Sequence, residues 1–450
     1  MSMFACARRM NAASCMVFAV ALLAAGCGAI QTRAALGNDG VRPEGPSWIS
    51  RPSGVLKVAF RKDLSIDARK PVEAFETGSA AVDPKHGRVF VGSSNHGLYA
   101  LRGSDGGTIW RFETEAAVQS EPVYDASADA VYFGSHDGAL YAVHAHNGVA
   151  MYRYPTIAEV TRAPILYGNT LVFVNGADTL YAINKMTGAK LWQAGKPPAG
   201  GMGLAGHSGP ATDGKSVFVG HSDGTLAAYR LDTGAETWAP VELAQESETY
   251  RDIGQHTDTD TTPMVFESAG NTMVIAGNSM TGVVALDAAT GSRIWTNSDC
   301  KGAVAIALWH EPAHMVAASV QSANIGEKQD RVPVSERNVV YITTMTGIWA
   351  LEASTGHELW RAPVPEGGVS RIAFGRGALV LGTARNGLYL LSPTTGKPID
   401  GIDMATGFSS TPTVYAGRIF AMSNAGALWA VDIDAPGATA GSEKLAGGLW

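Results

Sequence analysis

The residues most capable of chemistry stand outside any regular pattern in this 450-residue chain. Asp258-Thr259-Asp260 sets two carboxylates one residue apart, just ahead of an apolar run. Alternate side chains of an extended segment share a side, so both carboxylates would point the same way. From spacing alone such a pair suits a turn cap or a calcium-like acidic loop. A second stretch, Gly200–Ala211 (GGMGLAGHSGPA), sets two apolar side chains, Met202 and Leu204, among glycines. His310-Glu311-Pro312-Ala313-His314 formally matches H-E-x-x-H. Zinc chemistry there needs both histidines one helical turn apart, with the glutamate polarising a bound water. Pro312 interrupts the match, no third ligand is evident, and the segment is an insertion in a strand-rich chain, so a chance match is expected. His136, His144, His146, His207 and His221 fall in turns or at strand ends. No Ser/His/Asp arrangement and no phosphate-type glycine loop emerges. Neither catalysis nor a cofactor nor a metal is expected.

The cysteines point elsewhere. There are four: Cys6, Cys15, Cys27 and Cys300. Arg8 and Arg9 precede an apolar run, Ala12–Ala25, and Leu23-Ala-Ala-Gly-Cys27 follows. That run is short for a membrane-spanning helix and has the layout of an export signal. Small residues directly before a cysteine resemble the lipobox of bacterial lipoproteins. The resemblance implies a diacylglyceryl thioether on Cys27, cleavage after residue 26 and acylation of the new amine, as with palmitate. Gly28, and not aspartate, follows the cysteine, which by the enterobacterial sorting rule favours the outer membrane. Cys300 is then left alone, so no intramolecular disulfide is expected. Residues 27–54, rich in Gly, Pro, Ser and Ala, read as a lipidated flexible tether, and 435–450 as a loosely ordered tail.

What must position these residues is a repeat. Ala276–Trp295 (AGNSMTGVVALDAATGSRIW) reads as strand, tight turn, strand, turn and an aromatic that opens another strand. Aligned on its alanine, the pattern recurs at Ala100, Ala142, Ala182, Ala228, Ala285 and Ala350, then at Leu390 and Ala430. A glycine stands six residues after each of the first seven: Gly106, Gly148, Gly188, Gly234, Gly291, Gly356 and Gly396. Four residues further on come Trp110, Tyr152, Trp192, Trp238, Trp295 and Trp360, with Asp400 in the seventh copy. The eighth runs into Pro436 without the turn.

A period of roughly 40 residues with about four short strands per copy is the signature of a β-propeller. A single four-stranded blade cannot bury both faces; set around an axis, each blade covers its neighbour. We expect an all-β, eight-bladed propeller of antiparallel blades over residues 55–434. The spare strand Val55–Phe60 would supply the missing outer strand of the last blade, closing the ring by pairing the N- and C-terminal strands. The spacing is irregular twice, through extra residues in Pro240–Thr262 and in Ser298–Asn338. Insertions of this kind extend surface loops, where function concentrates. The composition agrees: 46% hydrophobic, 17% charged and 53 glycines suit a β-rich fold with many turns. A net charge of −7 without a long basic run gives no reason to expect nucleic-acid binding.

The core Ala-Leu-Asp-x-x-Thr-Gly-x-x-x-Trp resembles the repeat of pyrroloquinoline-quinone enzymes, implying a periplasmic dehydrogenase that uses the quinone, calcium and an aspartate base. Those enzymes are usually much longer, and many carry a vicinal cysteine pair that is absent here. Two segments resemble the BamB family of outer-membrane assembly lipoproteins more closely. Asp258-Thr259-Asp260-Thr261-Thr262-Pro263 matches the family's Asp-x-Asp-Thr-Thr-Pro, and Gly206-His207-Ser208-Gly209-Pro210-Ala211 its Gly-x-Ser-x-Pro-Ala. That resemblance, over about Val55–Ile433, implies a scaffold of the β-barrel assembly machine. It would dock on a periplasmic POTRA domain of a BamA-like subunit, and unfolded β-barrel clients are a further partner class. Met202 and Leu204 would be apolar contacts, Asp258 and Asp260 acidic ones. Ala205 stands where the family has an arginine, so one polar contact is missing or comes from elsewhere. A propeller scaffold of another envelope complex is the rival among binding proteins.

Overall fold

The computed structural model describes residues 54–64, 76–195, 208–243, 259, 261–268, 270–278, 282–317, 331–364, 368–404 and 406–434. Eight four-stranded antiparallel sheets make up the fold. Seven come from consecutive segments: blades 1 to 7 span 80–113, 123–155, 165–195, 211–242, 264–297, 303–363 and 373–403. Blade 8 takes three strands from 413–433 and its fourth, Leu56–Asp63, from the start of the chain. That strand pairs antiparallel with Ala427–Ile433, from Leu56 opposite Ile433 to Asp63 opposite Ala427. The expected eight-bladed propeller, closed by its two terminal strands, is therefore the fold.

Within each blade the second and third strands are almost wholly buried, as in Arg88–Ser93 and Gly97–Arg102 of blade 1. First strands of neighbouring blades lie against one another, so they line the axis and the fourth strands form the rim. Four antiparallel strands per blade then define two faces. The links from one blade to the next, and the hairpins between second and third strands, share one of them, called here the linker face. The other two turns of every blade share the opposite, turn face.

The repeat positions acquire their physical meaning at the blade interfaces. The aromatic of the fourth strand sits opposite the alanine of the third: Trp110 opposite Ala100, Trp192 opposite Ala182, Trp295 opposite Ala285. Its ring crosses to the next blade and covers the turn glycine there. A Cβ on Gly356 would lie 2.5 Å from the Trp295 ring, and one on Gly148 would lie 2.7 Å from that of Trp110. These turn glycines have φ near +70°, so two constraints, backbone conformation and close approach, select the same residue. The indole Nε1 then donates to a carbonyl of the same neighbour. Trp110 donates to Ala145 O (2.9 Å), Trp192 to Leu231 O (2.9 Å), Trp295 to Ala353 O (3.0 Å) and Trp360 to Pro393 O (2.8 Å). Each aromatic thus buries apolar area and satisfies its one polar group across an interface.

Ring closure departs from this scheme at two points, and each compensates for the other. Phe60 of the closing strand stands opposite Ala430 and covers Gly106, taking the tryptophan's place between blades 8 and 1. Asp400 holds the tryptophan position of blade 7, opposite Leu390, and is fully buried. Its Oδ2 accepts a 2.8 Å hydrogen bond from Leu56 N, the first residue of the closing strand. Blade 8 has no turn glycine to receive an indole, so an acceptor for the incoming strand stands there instead.

The two irregular spacings lie on opposite faces. The extra residues between blades 4 and 5 fall between strands Glu236–Glu242 and Met264–Ser268, which end and begin at the linker face. Those of blade 6 separate its first strand, Ala303–Glu311, from its second, Arg337–Thr344, and so belong to the turn face. They include an added hairpin, His314–Ala317 paired with Arg331–Val334. His310 and Glu311 of the H-E-x-x-H match lie on an extended strand, where the helical spacing that zinc ligation needs does not arise. Glu311 is buried and accepts from Arg337 Nε at 2.6 Å.

Candidate functional site

The segments that flank the two loops marked in the sequence meet on the linker face of blades 4 and 5. Met202, Leu204, Asp258 and Asp260 lie outside the described residues, as do Cys27, the tether before Gly54 and the tail from 435 onward. The segments that carry the four contacts into the fold are described, and they meet. Ser208 Oγ donates to Thr261 O at 3.0 Å, and Gly209 N donates to Thr262 Oγ1 at 3.0 Å. Residues 53 positions apart are thereby knotted at the points where both loops enter their blades.

A local rule of the repeat holds each strand of this knot. In blades 2, 4, 5 and 7, a hydroxyl just before the first strand clamps the glycine that ends or nears the end of the second. Ser120 Oγ accepts from Gly134 N (2.8 Å), Ser208 Oγ from Gly220 N (3.0 Å), Thr261 Oγ1 from Gly277 N (2.6 Å) and Ser370 Oγ from Gly382 N (2.9 Å). A Cβ on Gly220 would lie 2.3 Å from Thr259 Cγ2 and 3.0 Å from Ser208 Oγ. The glycine therefore lets both loop ends press onto the second strand of blade 4. Ser208, Thr259 and Thr261 are all buried, and Thr259 N donates to His221 O at 3.2 Å.

The knot continues sideways. His221 and Ser222 belong to the hairpin between the second and third strands of blade 4. His221 is buried edge-on to Tyr229, and its Nε2 lies 3.3 Å from the Tyr229 hydroxyl. Ser222 N donates to Asp178 Oδ2 of the blade 3 hairpin at 3.0 Å, and the Ser222 hydroxyl donates to the same oxygen. Blades 3, 4 and 5 thus share one hydrogen-bonded rim on the linker face. Ser208, Thr261 and Thr262 matter as the mount of the loops. Their recurrence before a proline or apolar strand start (Ser120-Glu-Pro, Ser208-Gly-Pro, Thr261-Thr-Pro) was the signal in the sequence that could have found them.

The chemistry available at this rim is that of a surface. Among the described residues, no three His, Cys, Asp or Glu side chains are grouped to hold a metal. Cys300 is buried, and burial pushes its thiol up to about 12, so it stays protonated and inert. A groove of about 1010 Å³ opens on the opposite face of blades 3 to 5 and is lined by residues such as Arg230 and Asp232. It lies away from the knot.

Comparison with known proteins places the chain among relatives. A family model described as outer membrane protein assembly factor BamB matches residues 57–150, 125–327, 283–372 and 344–438. An outer membrane protein assembly factor BamB of Legionella pneumophila (strain Paris) is 24% identical over 217 residues, 47% of this chain and 47% of that protein. A tetrathionate hydrolase of Acidithiobacillus ferrooxidans is 23% identical over 278 residues, 59% of this chain and 49% of the enzyme. The chain thus spans about half the length of these curated relatives. Among solved structures, BamB from Moraxella catarrhalis superposes with a TM-score of 0.64 at 17% identity, covering 84% of this chain and 99% of that one, a likeness of fold. The family match extends over nearly the whole propeller, and by it the chain belongs to the BamB family of outer membrane protein assembly factors.

Proposed function

We propose that the protein is a non-catalytic scaffold of the outer-membrane β-barrel assembly machine. It is anchored by lipid on Cys27 after removal of residues 1–26, faces the periplasm, and docks on a POTRA domain of a BamA-like subunit. The supporting observation is the pair of hydrogen bonds that ties Ser208 to Thr261 and Gly209 to Thr262. Two loops held together at their roots, 196–207 and 244–260, act as one surface and not as two. Met202 and Leu204 supply its apolar part, Asp258 and Asp260 its acidic part. The burial of Thr259 and Thr261 at the root of the second loop supports this assignment, because it fixes the point from which that loop leaves blade 5. Lipid anchoring confines the scaffold to the membrane plane and raises its effective concentration near a membrane-bound partner.

The test is affinity capture of the full lipoprotein from its native envelope. Recovery of a BamA-like subunit is expected, and its loss in the double variant Asp258→Lys, Asp260→Lys, with an unchanged thermal transition. Native capture that brings down another envelope complex and no such subunit would replace this reading with the rival scaffold. Likeness to a tetrathionate hydrolase motivates the enzymatic alternative. Tetrathionate turnover, or quinone-dependent dye reduction after reconstitution with calcium, by the purified protein would establish it.

A further inference from the structure

A carboxylate that joins blades 1 and 2 has no counterpart between blades 8 and 1, and a cavity stands in its place. On the turn face, Arg88 opens the second strand of blade 1 and holds two carboxylates. One is Asp83 of its own blade and the other Asp129 of blade 2, each at 2.7 Å. Asp129 takes φ of +44° in the turn directly before the second strand of blade 2. Its other oxygen lies 3.0 Å from His146 Nδ1.

The junction of blades 8 and 1 repeats this arrangement with one group left out. Arg418 opens the second strand of blade 8 in the register of Arg88, since Phe420 faces Ala430 as Phe90 faces Ala100. It too holds a carboxylate of its own blade, through Nε and Nη2 to Asp432 at 2.6 and 3.0 Å. The place of Asp129 falls to Gly87, again with positive φ (+64°) and again directly before a second strand. The place of His146 falls to Ser104, at the same offset from the repeat alanine. Arg418 therefore meets only carbonyl oxygens of blade 1: Nη1 donates to Gly103 O at 2.8 Å and to Ser104 O at 3.4 Å. Among the described residues Nη2 bonds to Asp432 alone, which leaves it one N–H to give.

A side chain on Gly87 would enter open space, for a Cβ there meets nothing within 4 Å. That space is a cavity of about 460 Å³, open at the turn face. Val89 and Phe420 give it an apolar floor, and His86, Arg102, Ser104 and Arg418 a polar wall. Asp83 and Asp432 also line it, each already held by an arginine. Its volume lies in the range of small-molecule sites.

We propose that this cavity binds a small organic carboxylate. The anionic group takes the place of Asp129, against Arg418 and Ser104, and the apolar body rests on Val89 and Phe420. Asp432 does not exclude it, because one arginine carrying two carboxylates is the arrangement already present at Arg88. The site is on the turn face and does not depend on the docking reading.

Benzoate is the probe. Benzyl alcohol is the uncharged control with the same ring, and inorganic phosphate is the anion without an apolar body. Binding to the full-length protein in detergent is followed by ligand-observed NMR, with detergent alone as the blank, and the occupied region is located by amide exchange. We expect saturable benzoate binding at about millimolar concentration and slower exchange in 82–89 and 415–420. Benzyl alcohol should bind about ten- to a hundredfold more weakly. Gly87→Asp supplies the missing carboxylate in the backbone conformation that Asp129 already adopts, and should abolish benzoate binding, while Gly87→Ala should keep it. Absence of saturable binding, benzoate binding unchanged in Gly87→Asp, or benzyl alcohol bound as tightly as benzoate would each overturn the proposal. Phosphate bound more tightly than benzoate overturns it too, by making the site one for inorganic anions. Should Gly87→Asp fail to fold, the wild type alone decides: slowed exchange confined to other blades overturns the assignment.

Discussion

Replacing Asp400 by tryptophan would restore the repeat's own consensus, and we expect it to loosen the ring. The fourth-strand tryptophans succeed because the next blade offers a turn glycine beneath the ring and a carbonyl for Nε1. Blade 8 has no turn between a third and a fourth strand of its own and so no such glycine. Asp400 is fully buried and accepts from Leu56 N at 2.8 Å, and Leu56 is itself 5% exposed. Removing the carboxylate leaves a buried N–H without this acceptor, and a buried donor left unsatisfied costs about 1–3 kcal/mol. An indole forced into a filled slot adds about 1–3 kcal/mol of overpacking. Asp400→Ala should therefore cost about 2–3 kcal/mol and Asp400→Trp about 3–5 kcal/mol, while Asp400→Asn, which keeps an acceptor, should cost less. The loss is local before it is global, because the bond holds the end of one strand. Hydrogen exchange is the assay: amides of Leu56–Asp63 and Ala427–Ile433 should lose protection about 30- to 150-fold in Asp400→Ala, at about tenfold per 1.4 kcal/mol. Blade 3, far round the ring, serves as the internal control. Unchanged protection of the closing strand in Asp400→Ala, or an Asp400→Trp variant as stable as the wild type, would refute the latch.

The blade interfaces and one ion cluster yield two more expectations. Gly356→Ala should destabilise by about 2–4 kcal/mol in a denaturant titration, since φ of +71° strains any side chain and the new Cβ would lie 2.5 Å from the Trp295 ring; a neutral result would mean the interface is looser than its geometry. Arg88, 7% exposed, bridges Asp83 and Asp129 at 2.7 Å each. Burial alone would raise both carboxyl pKa values, but hydrogen bonds from Arg88 and from His86 or His146 outweigh it and hold both below the ordinary 3.8. Stability from such depressed carboxylates is fully present above the unfolded pKa and disappears as pH falls through the folded values. Arg88→Gln should therefore lower stability near neutrality and flatten its decline below about pH 4, as followed by acid titration of the unfolding midpoint.

Much of the architecture was legible from residue order because a propeller is built from near-neighbour packing. Alanine opposite the aromatic, the turn glycine and the tryptophan recur at fixed offsets, so blade number, strand count and even the borrowed outer strand could be read. Position 400 was visible only as an irregularity. Its meaning depends on Leu56, 344 residues away, which meets Asp400 only when the ring closes. The same holds for Phe60 over Gly106.

The candidate site divides in the same way. Sequence alone marked two loops by composition, by Asp258 and Asp260, and by likeness to a family. It also carried, unremarked, the serines and threonines that clamp the second strands. Tertiary structure decided that the roots of those loops are bonded to each other and that the blade 6 insertion belongs to the opposite face. It also decided that Gly87 and Arg418, from blades 1 and 8, line one cavity. The reason is physical: offsets within a blade are set by backbone periodicity and turn geometry, which a chain carries locally. Which segments of different blades touch is set by the rotation between blades, and no stretch of residues encodes that by itself.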